Sequence, residues 1–417
     1  MHPTKALEPD GRSPIFFKHY WNIVGPEVVN CVLSSLNSGR MSCRLNETYI
    51  CLISKVKYPQ KITEFRPISL CNVVYKLISK ILANRLKRVL AAVIDELQSA
   101  FVPGRLIIDN VLVAFETMHC IDQRKKGKEA RMAIKLDMSK AYDRVEWVYL
   151  EAMMRKMGFN ERWISLIMMC VTTVSYSILI NGEPKGKITP SRGLCQGLPT
   201  CSYCVLKVYR LSSKRRKGGG GGNLKVIAVS RRALSITHLL FADDSIVFCR
   251  ATGDECDRVL KVLEDYEGDL GQKLNKEKTS LYFSKNTSRE IKEYVKEKFG
   301  TRVVQHHEKY LRLPLLVGKG KRKAFNRIKD QVGRKIANWK GKLLSHASRE
   351  ILIKAVAQAT PMYTMSCFKI LDTLCKELNS LMGNFWWGQK DRERKMTWVS
   401  WEKLCIPKAE GGMGFRD

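Results

Sequence analysis

Two adjacent acids, Asp243 and Asp244, stand between apolar runs in the segment ITHLLFADDSIVFC, residues 236–249. This pattern predicts a buried β-hairpin with the acids at its turn. Two carboxylates so close raise each other's pKa unless a cation lies between them. Mg²⁺ is the typical cation for such a pair, since it binds one or two carboxylates together with phosphate oxygens.

A third acid, Asp137, ends the alternating segment RMAIKLD, residues 131–137. The alternation predicts a strand with Met132, Ile134 and Leu136 on one face. Asp137 would join the aspartate pair if the two strands are neighbours. Three carboxylates could hold two metals about 3.5–4 Å apart, which activates an attacking hydroxyl and stabilises a leaving oxygen. Two solvated turn aspartates without a metal explain the same pattern equally well.

Several further patterns predict the elements around these acids. Residues 73–93 predict a helix whose apolar stripe consists of Val74, Leu77, Ile78, Ile81, Leu82, Leu86, Val89 and Leu90. The basic residues off that stripe are equally compatible with a solvated face and with a face that contacts a nucleic-acid backbone. A helix is expected over residues 145–157, ended by Gly158. Residues 176–180 followed by Asn181-Gly182 predict a hairpin.

Other segments differ in character. Prolines divide residues 1–60 into short apolar runs, and the chain from residue 319 onward is basic with a mostly helical pattern. Asp254 is expected to cap a helix bearing Val259, Leu260, Leu263 and Tyr266. The stretch SKRRKGGGGGN, residues 213–223, predicts a flexible loop or a scar of lost sequence. Strands and helices mixed in this way indicate an α+β fold.

The overall charge points to a polyanionic partner. Lys and Arg number 73 against 40 Asp and Glu, which gives a formal charge of +33. Nucleic acid is the first candidate, because neutralising phosphates releases condensed counterions. An anionic membrane surface and a solvated basic surface without a partner are the alternatives. No segment approaches the roughly 20 apolar residues of a membrane span, and the N-terminus lacks a signal-peptide core. The scattered cysteines indicate reduced thiols, and so an intracellular protein.

Two motifs together resemble one known family. KLDMSKAYDRVEW, residues 135–147, is similar to the first palm motif, and FADD, residues 241–244, to the third palm motif, of reverse transcriptases from plant LINE-type (non-LTR) retrotransposons. Fingers motifs are matched by FRPISLCNVVYKLISKILANRL, residues 65–86, and QSAFVPGRLIIDN, residues 98–110. Later palm motifs are matched by GQKLNKEKTSLYFS, residues 271–284, and KYLRLPLLVG, residues 309–318.

The resemblance implies a right-hand polymerase fold with fingers, an antiparallel palm sheet with helices, and a helical thumb. Residues 1–60 would form an N-terminal extension, 61–130 the fingers, 131–318 the palm interrupted by the segment 213–223, and 319–417 the thumb and C-terminal region. The implied activity is RNA-directed DNA polymerisation with two Mg²⁺ ions, for which Mn²⁺ could substitute. RNA template, DNA primer and deoxynucleoside triphosphates would be the partners, without a membrane, and the nucleus the compartment.

The family's roles fall on particular residues of this chain. Asp137, Asp243 and Asp244 would hold the metals. Arg66 would grip the incoming triphosphate, with Lys61 nearby, and Gln196-Gly197 would lie under the nucleotide. Tyr142 would exclude a ribose 2′-hydroxyl, unless it is a core tyrosine. Lys278 would neutralise or protonate pyrophosphate, unless it is an ordinary surface lysine.

Part of the nucleotide pocket departs from the family. Relatives have Arg and Asp where this chain has Cys195 and Leu198, and the apolar helix that should follow is replaced as far as residue 222. A catalytically inactive nucleic-acid-binding remnant is therefore an alternative, and a metal-dependent nuclease using the same acids is a weaker one. Full-length relatives also carry an endonuclease and further domains with no counterpart in this sequence, which predicts an excised or decayed polymerase module.

Overall fold

The computed structural model describes residues 9–127, 129–139, 142–195, 227–228, 235–304, 309–315, 321–340, 344–388 and 396–417. The chain separates into two compact units. The first comprises Met1–Asn110 and Ile121–Val303, and the second comprises Val111–Cys120 and Val304–Asp417. The expectations for residues 196–226, including Gln196, Gly197, Leu198 and the glycine run, lie outside the described residues.

The regular elements alternate through the first unit and become helical in the second. The helices up to residue 300 are α1 (Pro14–His19), α2 (Trp21–Ser38), α3 (Val73–Val93), α4 (Ile107–Gln123), α5 (Trp147–Lys156), α6 (Glu161–Thr172), α7 (Gly253–Leu270) and α8 (Arg289–Phe299). The later helices are α9 (Lys321–Lys340), α10 (His346–Leu352), α11 (Ala359–Cys367), α12 (Asp372–Trp386) and α13 (Trp401–Cys405). An α+β class is therefore confirmed.

The longer strands are β1 (Glu47–Ser54), β2 (Phe65–Cys71), β3 (Arg131–Leu136), β5 (Ser175–Ile180), β6 (Glu183–Ile188), β9 (His238–Phe241), β10 (Asp244–Arg250) and β12 (Ser280–Phe283). The two-residue strands are β4 (Met138–Ser139), β7 (Ile227–Ala228), β8 (Ser235–Ile236), β11 (Lys273–Leu274), β13 (Arg302–Val303), β14 (Lys309–Tyr310) and β15 (Leu313–Pro314). Among the described residues they build a five-stranded sheet, β13-β12-β3-β10-β9, and a four-stranded sheet, β2-β1-β5-β6.

The five-stranded sheet has β3 at its centre because that strand is apolar enough to be covered on both sides. Met132, Ile134 and Leu136 are completely buried, as the alternation predicts. They share one core with residues of α7 and α8, among them Val259 and Phe299. Each such side chain contributes about 1.5–3 kcal/mol on burial. The covering helices therefore fix one face of the strand that leads to Asp137.

Helix α7 begins two residues earlier than the sequence suggested. Its cap is Thr252, whose hydroxyl accepts a hydrogen bond from the backbone N–H of Glu255. Asp254 lies inside the first turn, so the expected cap at Asp254 is wrong. Threonine caps well because its short side chain reaches the free N–H groups of the first turn. An acid inside that turn still stabilises the helix through the helix dipole.

Helix α3 has the predicted bounds and nearly the predicted stripe. Ile78, Leu82 and Leu90 are buried, whereas Val89 is exposed and does not belong to the buried face. Tyr75 was not part of the predicted apolar stripe. It is nevertheless buried, and its hydroxyl donates a hydrogen bond to the carbonyl of Cys170 at 2.8 Å. A phenol can be buried in this way because its polar end finds a partner.

Residues 1–60 hold more helix than their prolines suggest. The 18-residue helix α2 continues through Pro26. Proline lacks an N–H and costs about 3 kcal/mol inside a helix. The helix persists because Val28, Val32 and Leu36 are buried in the core shared with α3 and α6.

The second unit closes around an aromatic cluster. The Phe415 ring stacks on Trp401 with centroids 5.2 Å apart and meets Trp386 edge-on at 5.3 Å. A Cβ at Gly412 would lie 2.0 Å from the carbonyl oxygen of Ile406, so only glycine fits that turn. The mostly helical pattern expected from residue 319 onward is confirmed. No helix in the described part of the chain is long and apolar enough to cross a membrane.

Candidate active site

Strand pairing brings the three predicted acids to one end of the five-stranded sheet. Strands β3 and β10 run antiparallel with Ser245 opposite Leu136. Asp244 and Asp137 are the residues that extend this pairing at the end of the sheet. Asp244 is also paired with Phe241 across the hairpin formed by β9 and β10. The neighbouring strands that the sequence required are therefore present.

The hairpin turn consists of Ala242 and Asp243. Ala242 has a φ of +55°, in the left-handed region. A two-residue turn with positive φ at its first position is of the II′ kind, which ordinarily has glycine there. An L-residue costs roughly 1–2 kcal/mol in this conformation. The turn that carries Asp243 is thus strained, and strain of this kind persists only where the surroundings enforce it.

The backbone on the other side of the site is held by the segment after α7. The N–H of Asn275 donates to the carbonyl of Asp137 at 2.8 Å. The N–H of Asp137 donates to the hydroxyl of Thr279 at 3.4 Å. Beside these contacts, β11 pairs with β4, which places Leu274 opposite Met138. Asp137 is consequently fixed from both the strand before it and the strand after it.

The acids perturb one another's ionisation. Burial raises the pKa of Asp137, Lys278 and Lys135 lower it, and the charge of Asp243 raises it further. Burial also raises the pKa of Asp244, with Asp243 and Asp137 adding to the rise and Lys135 opposing it. The negative charges therefore oppose one another across the end of the sheet; nearby lysines outweigh this repulsion at Asp137, where burial raises the pKa, but not at Asp244.

The three aspartates supply oxygen ligands of the kind that a hard divalent cation binds. Carboxylate oxygens are the ligands that Mg²⁺ prefers, and a cation would relieve the mutual repulsion of these acids. Within the described ranges, no three His, Cys, Asp or Glu side chains are grouped tightly enough to hold one ion together. The side chains as placed would therefore have to turn toward a shared ion.

Lys278 forms an ion pair with one of the acids. Its Nζ lies 3.9 Å from Oδ1 of Asp137, and its side chain is 69% exposed. The ammonium group can therefore move toward an anionic ligand. This placement is compatible with a charge-neutralising role and with an ordinary surface lysine.

Tyr142 lies between two of the hydrophobic cores of the first unit. Its half-buried ring packs against both the core of α3 and α6 and the core of the five-stranded sheet. Its carbonyl accepts a hydrogen bond from the N–H of Leu194 at 2.9 Å. The position combines features of the two roles considered for it, since the ring contacts the core and is still partly accessible.

The segment that leads to Gln196 runs against the residues after Asp137. Gly193 donates its N–H to Val145 and accepts from the indole N–H of Trp147, both at 2.8 Å. A Cβ at Gly193 would lie 2.7 Å from the carbonyl oxygen of Asp143, and φ is +89° there. Glycine is therefore required at this close approach. Buried Cys195 follows, with its Sγ 2.9 Å from the hydroxyl of Tyr176.

Arg66 lies on the other sheet. It is exposed on β2, opposite Ile53 of β1. Lys61 precedes it at a short turn, where its N–H donates to the Glu64 carboxylate at 3.2 Å. Both basic groups are accessible for a triphosphate.

Gln98 and Asn110 are the first and last residues of the fingers-like motif at 98–110, which predicted no role for either side chain. Both side chains are buried, and both form hydrogen bonds to the hairpin of β9 and β10. Buried amides are nearly always hydrogen-bonded, so their burial would have singled them out. The sequence does not reveal that burial, because the segment also contains turn residues typical of a solvated loop.

The match to known proteins covers this site. Residues 53–312 match the family model described as reverse transcriptase (RNA-dependent DNA polymerase). The chain belongs to the reverse transcriptase family. The family predicted from the palm motifs is thus confirmed, and with it the right-hand polymerase fold. Every predicted site residue, from Arg66 to Lys278, lies inside the matched range.

Similar proteins come from transposons and from plants. The chain is 24% identical over 427 residues to an uncharacterized 149 kDa protein of the transposon TX1 from Xenopus laevis, a match covering 99% of this chain and 31% of that protein. An uncharacterized mitochondrial protein of Arabidopsis thaliana is 52% identical over 60 residues, which is 14% of this chain and 39% of that protein. A putative ribonuclease H protein of the same plant is 34% identical over 104 residues, 25% of this chain and 17% of that protein.

The matched segments span 31%, 39% and 17% of the lengths of these three relatives. A solved structure of apo telomerase from Candida tropicalis, truncated from its C-terminal domain, is 13% identical with a TM-score of 0.37, covering 59% of this chain and 52% of that chain. The transposon relative agrees with a reverse transcriptase module of a non-LTR element.

Proposed function

We propose that the chain catalyses RNA-directed DNA synthesis as the polymerase module of a LINE-type retrotransposon. The observation that carries the proposal is the convergence of Asp137, Asp243 and Asp244 at one end of a sheet inside the family match. RNA template, DNA primer and deoxynucleoside triphosphates are the proposed substrates, and the nucleus the proposed compartment.

The three aspartates are the proposed ligands of two divalent cations. When bound, these cations would supply charge neutralisation and a more acidic primer hydroxyl. The primer 3′-oxygen forms a bond to the α-phosphorus as the bond to pyrophosphate breaks. Positioning and charge compensation dominate such phosphoryl transfers.

The chain's own cations and rings have separate proposed roles. Lys278, already beside Asp137, offsets the charge of departing pyrophosphate. Arg66 grips the triphosphate, for which a planar guanidinium is well suited. Tyr142 limits the space at the sugar, which favours deoxynucleotides. Gln196 and Gly197 are proposed to support the nucleotide from below.

A non-catalytic remnant that binds nucleic acid is the second candidate. Its basis is Cys195, which is buried against Tyr176 where relatives have an arginine. The formal charge of +33 would still attract nucleic acid. This candidate predicts RNA binding that weakens steeply with salt and is not followed by nucleotide addition.

Primer extension by the purified full chain separates the two candidates. A DNA primer annealed to an RNA template is incubated with deoxynucleotides while Mg²⁺ or Mn²⁺ is titrated. Extension should depend on the metal, and Asp137→Asn should reduce it by at least about a hundredfold, since even outer ligands of a metal contribute 10–100-fold. RNA affinity of the variant should be unchanged.

The control results decide between the candidates. A folded chain that binds RNA but extends no primer at any metal concentration refutes the polymerase and supports the remnant. Cleavage of labelled nucleic acid without deoxynucleotides, lost in Asp137→Asn, would instead indicate a nuclease.

A further inference from the structure

The segment that joins α3 to α4, together with the start of α4, contains two amide side chains that are almost completely buried. Gln98 is 1% exposed and Asn110 is 2% exposed. An amide buried without hydrogen bonds costs several kcal/mol, so such groups are nearly always bonded. The partners of these two side chains therefore indicate what the segment does.

Gln98 binds the turn that carries Asp243. Its Oε1 accepts the backbone N–H of Ala242 at 3.3 Å and that of Ala100 at 3.0 Å. One oxygen thus joins the segment to the hairpin turn. Neither N–H belongs to a strand pair, so Gln98 supplies an acceptor where the sheet has none.

Asn110 and the backbone hold the strand that precedes the turn. The Asn110 Nδ2 donates to the carbonyl of Leu240 at 3.0 Å and to the hydroxyl of Ser99 at 3.1 Å. The N–H of Ser99 donates to the same Leu240 carbonyl at 3.1 Å, and Leu240 donates its N–H to Leu97 at 3.1 Å. The segment therefore adds a short parallel bridge to the outer edge of β9.

Apolar contacts complete the attachment. Phe241 and Ala242 pack against a cluster from the end of α3 and the same segment, which includes Leu86, Ala100 and Val102. Hydrogen bonds and packing therefore act on neighbouring residues of the hairpin, and both act on Ala242. The contacts come from a part of the chain that carries none of the proposed metal ligands.

The turn needs this support because its backbone is strained. Ala242 has a φ of +55°, which an L-residue adopts only at a cost. Unsupported, the turn would relax its backbone or move Asp243 away from Asp137 and Asp244.

We propose that Gln98 is a positioning residue for catalysis, whose side-chain oxygen fixes the amide of Ala242 and thereby the position of Asp243. This inference rests on the proposed polymerase function for its catalytic consequence. Gln98 touches neither substrate nor metal, and acts through the backbone of the turn. Asn110 assists by fixing the strand before it.

Gln98→Met tests the proposal because methionine has nearly the same shape and lacks the oxygen acceptor. Gln358→Met is the matched control, since Gln358 is a buried glutamine of the second unit whose side chain bonds the carbonyl of Arg416 at 2.9 Å. We call the hydrogen bond from the Ala242 N–H to Gln98 the anchor. Hydrogen exchange of the peptide spanning Ala242, followed by mass spectrometry, measures the anchor directly. Primer extension measures its effect on the proposed reaction.

Gln98→Met should accelerate exchange at the turn by about tenfold or more, the usual effect of leaving a buried N–H unpaired. The maximal extension rate should fall by roughly tenfold, with the KM for the deoxynucleotide within about twofold of wild type. Gln358→Met should change neither quantity. Equal losses in both variants, or faster exchange with unchanged extension, would overturn the positioning role.

A second variant keeps the proposal testable if Gln98→Met does not fold. Asn110→Ala should accelerate exchange around Leu240 to a smaller degree, because Ser99 still bonds that carbonyl; wild-type exchange there would refute the anchor. A wild-type chain with a protected Ala242 amide but no extension would refute the proposed function and leave the anchor standing. Rapid exchange at Ala242 in an active wild-type chain would refute the anchor alone.

Discussion

Two hairpins of the first unit turn with two residues each, and they differ in how the turn is stabilised. The β5–β6 hairpin uses Asn181 and Gly182, with φ of +53° and +88°. These are the residues that a type I′ turn prefers, and the following strand β6 is exposed throughout. The β9–β10 hairpin uses Ala242 and Asp243 and is held by Gln98 and by apolar packing.

The difference indicates which turn serves chemistry. A turn of favourable residues needs no outside contacts, so its neighbours can be exposed. A turn that must present a carboxylate beside two others has unfavourable local energetics, and the surrounding structure compensates for them. The contrast between the turns can be tested by changing one residue in each.

Asp243→Asn should give the largest effect. Extension should be lost, because the carboxylate is a proposed metal ligand. The free energy of unfolding should rise slightly, because Asp243 no longer raises the pKa of Asp137 and Asp244 through its charge. Extension assays check the loss of activity, and denaturant unfolding of the same preparation checks the rise in the free energy of unfolding. A less stable variant would mean that repulsion does not dominate at this turn.

Gly182→Ala should destabilise the fold by about 1–2 kcal/mol, the cost of a left-handed L-residue. No atom lies within 4 Å of a Cβ built at Gly182, so the backbone conformation alone sets this cost. Urea unfolding measures it. Extension should be unaffected, and a parallel loss of extension would show that the two hairpins are coupled.

Ala242→Gly should stabilise the fold by roughly 0.5–1 kcal/mol, since glycine adopts the observed φ without strain but loses more chain entropy on folding. The same urea titration measures the shift, with Gly182→Ala as the reference of opposite sign. An unchanged or lower stability would mean that Ala242 carries no strain.

Lys278→Met should have the smallest effect on stability, within about 0.5 kcal/mol, because the exposed pair with Asp137 is screened by water. Extension should nevertheless slow, since the proposed role is toward departing pyrophosphate. Pyrophosphate inhibition of extension should weaken in the variant. Unchanged inhibition would remove Lys278 from the site.

Local patterns predicted much of the first unit. Helix α3, the strand through Ile134 and both hairpins follow from periodicity and turn residues, which act within a few positions along the chain. The cap at Thr252 and the helix through Pro26 were not predicted. Local preferences were close to balanced at the cap, where one hydrogen bond decided the outcome, and unfavourable at Pro26, where packing overrode them.

The sequence by itself determined the family, the three acids and the hairpin that carries two of them, because these are encoded in short contiguous motifs. Only the tertiary structure decided that Asp137 extends the strand pairing beside Asp244, and that Gln98 holds the Ala242 amide. These relations join residues far apart in the chain, and their energies arise from burial and hydrogen bonds that exist only after folding. Short motifs thus identify the three carboxylates, whereas the contacts that position them form only in the folded chain.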